Sequence, residues 1–190
     1  MKSVIFDIAE VLVEIDASRI PFKNFQPGIG PYGEPQLVKL IASMLNLKQS
    51  YHDSVVTKRT LDLLIKNQWA LEFKIVRPFG DNGLKAENWS VNLLHPYTDN
   101  TSSLGDCVKL LRLDIPERKG IVVVCYEHFP PRFSLQPLIN SFELIAKNVM
   151  NVALAERVEE VRENLLHPVH QQLRVIGWEV RGLVSHTTRP

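Results

Sequence analysis

The stretch RTLDLLIKNQWALEFKIVRP, residues 59–78, decides how this chain folds. In its second half Trp69, Leu71, Phe73 and Ile75 alternate with Ala70, Glu72, Lys74 and Val76. That is the period of a strand with two different faces. Alternation puts Glu72 and Lys74 on one face and Leu71 and Phe73 on the other. Upstream, residues 54–65 read as a second extended segment through Val55, Val56, Leu61, Leu63 and Ile65. Lys66-Asn67-Gln68 between them suits a hairpin turn, because Asn tolerates the left-handed conformation. With a three-residue turn, Ile65 pairs with Trp69 and Asp62 falls opposite Glu72, their Cβ atoms about 5 Å apart. A two-residue turn would put Asp62 on the opposite face.

Outward from this hairpin the chain alternates helices and strands. Residues 25–36, FQPGIGPYGEPQ, form a Gly- and Pro-rich loop. It lacks the G-x-G-x-x-G and G-K-[ST] spacings of a phosphate cradle. A helix follows over about 35–47, with Pro35 at its start and Leu37, Leu40, Ile41, Met44 and Leu45 at helical spacing. Residues 78–100 read as a long surface loop. A helix is predicted over 102–113, capped by Ser102 or Ser103, with Leu104, Val108 and Leu111 on one face. GIVVVCY, residues 120–126, has the unbroken apolar run of a buried strand. Residues 134–150 predict a helix, Leu154, Val158, Val161 and Leu165 mark another, and Leu173–Val180 reads as a late edge strand. Residues 1–19 fit either helix or strand. The order predicts an α/β sandwich with helices on both sheet faces.

With 190 residues the chain fits one domain, 1–190, with its core over about 30–150 and both ends as additions. Charged residues are 23% of the total, which excludes wholesale disorder. No apolar run reaches the roughly 18–20 residues of a membrane span. Asp7, Glu10 and Glu14 break the N-terminal apolar segment, so it cannot act as a signal peptide. These readings, with Cys107 and Cys125 far apart, predict a cytoplasmic chain with two half-buried free thiols and no membrane partner. A formal charge of +1 leaves no global attraction for a polyanion, so any nucleic-acid role needs a local patch. Pro168 between His167 and His170, and the lack of a third ligand nearby, argue against zinc; the histidines read as surface or structural.

The chemistry concentrates on the hairpin. A charged pair on a hydrophobic strand is costly unless it is exposed, paired or metal-bound. Asp62 and Glu72 side by side repel each other, and a hard divalent cation relieves this. Lys74, one pleat further on, is placed to orient a water or to stabilise charge on a phosphorane-like transition state. Glu34 lies on the same helical stripe as Leu37 and Ile41, so it points towards the sheet.

At these residues the chain resembles the PD-(D/E)xK nuclease superfamily. Glu34 corresponds to the acid of the family's first core helix, Asp62 to the Asp of its second core strand, and Glu72-Phe73-Lys74 to its (D/E)-x-K tripeptide. Leu61 stands where the family often has Pro before that Asp. The resemblance spans about residues 30–150. It implies a restriction-endonuclease-like three-layer sandwich, a central mixed sheet flanked by helices. It further implies cleavage of nucleic-acid phosphodiesters, with Glu34, Asp62, Glu72 and Lys74 catalytic and with Mg²⁺ or Mn²⁺ held by Asp62, Glu72 and Glu34. DNA is the first partner it suggests, and a homodimer is compatible with it.

The competing reading makes Glu72 and Lys74 a solvated sheet face, Asp62 a turn residue and Glu34 a helix N-terminal charge complementing the dipole. Near-neutral charge also suits a catalytically silent domain that keeps such a fold for binding or assembly. Lys58, Arg59 and Arg77 bracket the hairpin as phosphate contacts or plain surface. Asp106 and Lys109 open the helix after the long loop, where free N–H groups could receive a phosphate. Trp89 and His95 stack on a base or pin their loop. Glu127 and His128 close the buried strand, where α/β sites gather.

Overall fold

The structure is a computed structural model that describes residues 1–22, 27–96 and 102–183. Phe25, Gln26 and residues 97–100 of the two predicted loops lie outside that set. In chain order the helices and strands are α1 (Lys2–Ala17), α2 (Glu34–Leu47), β1 (Val55–Val56), β2 (Leu63–Ile65), β3 (Trp69–Val76), α3 (Val91–Leu94) and α4 (Ser103–Arg112). They continue with β4 (Arg118–Glu127), α5 (Gln136–Asn148), β5 (Val152–Leu154), β6 (Val158–Arg162) and β7 (Gln172–Leu183). All seven strands form one mixed sheet of order β1-β2-β3-β4-β7-β5, with β6 also paired to β7. β3 and β4 run parallel; the other neighbours are antiparallel.

Alternation along the central strands sorts their side chains into two cores. Trp69, Leu71, Phe73 and Ile75 of β3, with Val122, Val124 and Tyr126 of β4, pack with α1 and α2. Ala70 and Val76 of β3, with Ile121, Val123 and Cys125 of β4, pack with α4 and α5. α1 is a helix because Val4, Ile5, Ile8, Leu12 and Ile15 recur at helical spacing and are buried, while Asp7, Glu10 and Glu14 take the outer side. It lies close on the sheet over Gly120 and Gly177, where a Cβ would come within 2.5 Å of Met1 and 2.4 Å of Ile5 respectively.

The three-residue turn forms as predicted: Ile65 pairs with Trp69, and Asn67 is left-handed at φ 61°. The segment 54–65 is not one strand. It breaks into β1 and β2 around a turn in which the Lys58 N–H bonds the Leu61 carbonyl. The long loop carries the short α3. Ser102 caps α4 through a hydrogen bond from the Gly105 N–H, and its buried apolar face is Leu104, Cys107 and Leu110. Val108 and Leu111 only flank that face.

Three further expectations are overturned. The helix predicted through Leu154–Leu165 is instead the end of β5 followed by β6, each paired to β7, and β7 is interior, with β4 on one side and β5 and β6 on the other. β6 is held by its ladder to β7 and by charges on it, including Arg174 of β7 to Glu159 and Arg162 to Glu10 and Glu160 at 2.8 and 2.9 Å. Cross-strand pairing therefore overrides a helix-like spacing of apolar residues. The two thiols are fully rather than half buried, and burial pushes both well above the ordinary thiol range. No helix of the described residues is long and apolar enough to cross a membrane.

Candidate functional site

β2 begins at Leu63, opposite Leu71, so among the described residues the second half of β3 has a strand neighbour only on its β4 side. Asp62 stands just before β2 and takes the vacant ladder position: its Oδ2 accepts from the Phe73 N–H at 2.8 Å. The side chains of Glu72 and Lys74 lie on the α4 face of the sheet, since Leu71 and Phe73 belong to the opposite core. Both are buried, at 2% and 8% exposure.

Three elements supply their partners. Lys74 Nζ lies 3.0 Å from Asp106 Oδ2 on α4 and 3.3 Å from Glu34 Oε1 at the start of α2. It also donates to the Phe73 carbonyl at 2.8 Å. α2 lies in the opposite layer from α4, so Glu34 reaches Lys74 past the open edge of β3. Lys109, one helical turn beyond Asp106, brings its Nζ to 2.7 Å from Glu72 Oε1 while its own side chain stays 43% exposed. The structure thus draws Glu34, Asp62, Glu72 and Lys74 to one place and adds Asp106 and Lys109. The sequence signal for those two was their i, i+3 spacing, which puts both on one side of α4. That side faces β3 only through tertiary packing.

The electrostatics reflect an excess of buried acid. Burial pushes Glu72 up to about 8; Lys109 works against the rise, and Asp62 and Asp106 add to it. Glu34 and Asp106 are also raised, chiefly by burial. For Lys74 burial alone would lower the pKa, but the surrounding carboxylates, Glu34 and Asp106 foremost, hold it above the ordinary lysine value. Four carboxylates face two ammonium groups, a formal deficit that one divalent cation would neutralise.

The donor set fits such an ion in a specific way. Among the described residues no three His, Cys, Asp or Glu side chains are gathered closely enough to enclose a metal. Asp62, just before β2, and Glu72 of β3 supply two carboxylates from neighbouring segments, Asp62 being tied to β3 through the Phe73 N–H. Mg²⁺ characteristically takes one or two carboxylates and fills the rest of its shell with water and substrate phosphate. Glu34 is engaged by Lys74 at 3.3 Å.

The other sequence candidates make no ion pair with Glu34, Asp62, Glu72 or Lys74. Lys58 and Arg59 are exposed in the turn before Asp62. Arg77 donates to the Tyr32 carbonyl. Glu127 is ion-paired with Arg174 at 3.1 Å, and His128 packs edge-on against Phe79. His167 and His170 are buried, not surface: His170 Nε2 meets Asp81 at 2.9 Å, and His167 Nδ1 accepts the Val169 and His170 N–H groups. No protein-family model, curated protein or solved structure matches the chain.

Proposed function

We propose that the chain is a metal-dependent nuclease of the PD-(D/E)xK type, on a restriction-endonuclease-like sandwich, hydrolysing nucleic-acid phosphodiester bonds. What carries the reading is the meeting of Glu34, Asp62, Glu72 and Lys74, from two strand positions, a turn and a helix start, at the unpaired edge of β3. Asp62 and Glu72 would hold a Mg²⁺ or Mn²⁺ ion. What such an ion supplies when bound is neutralisation of the scissile phosphate and a more acidic water. Lys74, kept cationic by its carboxylates, orients the attacking water and faces the charge that develops on the phosphoryl oxygens. Asp106 and Glu34 fix the ammonium between them, limiting the freedom of a four-carbon side chain.

Incubation of the protein with plasmid and with single-stranded oligonucleotides, in Mg²⁺ or Mn²⁺ and in chelator, tests this. Metal-dependent cleavage is expected, reduced about 10²-fold or more in Lys74→Met, with the fold checked by circular dichroism. Equal cleavage by wild type and variant would overturn the assignment. A second reading, a catalytically silent domain used for binding or assembly, is favoured by the burial of Glu72 beneath Lys109. It predicts no cleavage under any of these conditions by folded wild-type protein.

A further inference from the structure

Past the carboxylates, the open edge of β3 continues into a cleft of about 300 Å³, with Glu34, Ile75, Arg77, Trp89 and Asn92 among its walls. Glu34 therefore borders both the cleft and Lys74. Arg77 is a half-finished ion pair. Its guanidinium gives one hydrogen bond, to the Tyr32 carbonyl, and lies over the Tyr126 ring at 5.4 Å, while Nε is buried with no acceptor. The carboxylates acting on it through space, Asp81 and Glu34, are committed to His170 and Lys74. A desolvated guanidinium without its own carboxylate is an anion site, and its planar fork suits phosphate oxygens. Trp89, also on the cleft wall, is half-buried and steadied by Phe133 with ring centroids 5.6 Å apart. An indole on a cleft wall is a stacking platform for a base.

We infer that this cleft is a nucleotide subsite, in which Arg77 holds a phosphate and Trp89 stacks on one base of a single-stranded segment running alongside the carboxylates. The inference rests on the reading of the neighbouring site as one that handles nucleic acid, and it names the substrate form. A cleft of this size admits one unstacked base; in a duplex both faces of each base are already covered.

Binding of a fluorescein-labelled single-stranded octanucleotide, measured by anisotropy in chelator so that no cleavage occurs, tests the subsite apart from the chemistry. Wild type should bind the single strand more tightly than the matching duplex. Trp89→Ala should weaken it about 5- to 100-fold and Trp89→Phe should restore most of the loss. Arg77→Gln should lower the slope of log affinity against log salt by about 0.7, one phosphate contact. The inference is overturned if wild type does not bind the strand, if Trp89→Ala binds it as wild type does, or if Trp89→Phe is no better than Trp89→Ala. Displacement of the strand by equimolar mononucleotide would also overturn it, assigning the cleft to free nucleotides. Intact Trp89-dependent binding with no metal-dependent cleavage would instead reject the nuclease reading and leave the subsite standing.

Discussion

Glu72 has lost its water and has two further carboxylates acting on it, with one ammonium group in contact. Its proton is therefore favoured by the fold. The ordinary value is 4.5 and the folded value about 8, so over that window the unfolded chain releases a proton that the native protein keeps. Stability contributed by this group is present below pH 4.5, falls as pH climbs, and levels off above about 8. Thermal melts in chelator should thus show the wild-type Tm dropping across this range by more than that of Glu72→Gln. Parallel curves would mean that Glu72 ionises normally in the fold. Millimolar Mg²⁺ should flatten the wild-type curve, because a bound cation favours the ionised acid.

At the scale of elements, the hairpin sets the site. Asn67 in the left-handed region fixes the three-residue turn, the turn fixes Ile65 against Trp69, and that register carries Asp62 to the Phe73 N–H. Asn67→Ala should cost about 1–2 kcal/mol in denaturant melts, whereas Asn67→Gly should be close to neutral. A loss in both variants would locate the cost in the side chain rather than in the backbone. This register was legible in the sequence because apolar alternation and turn chemistry are both local. β5 and β6 were not. Val158 and Val161 fit helical spacing, and what makes their segment a strand is β7 on one side and the partners of Arg162 and Arg174. Asp106 and Lys109 were legible only as residues opening a helix; their pairing with Lys74 and Glu72 exists only once α4 is laid on the face of β3 that carries those two.

Across the whole molecule, α1 closes one layer by lying over β6 and β7, far from it in sequence, and Gly177 makes room for Ile5. Gly177→Ala would put a methyl 2.4 Å from Ile5 Cδ1 and should destabilise the protein by about 1–3 kcal/mol. Ile5→Val should recover part of that loss in the double variant, a coupling that independent sites would not show. The layered α/β architecture was readable from the order of apolar segments. The depth of β7 in the sheet was not, because only its partners β5 and β6 make it interior. The layers matter for chemistry in one respect: they bring Glu34 from one side of the sheet and Asp106 from the other to the same ammonium group. The most direct test of what that convergence is for is a calorimetric titration of Mn²⁺ into the full chain and into Asp62→Ala. One or two ions per chain, lost in the variant, are expected. Equal binding by both proteins, or none by wild type even with a non-cleavable oligonucleotide present, would contradict the site.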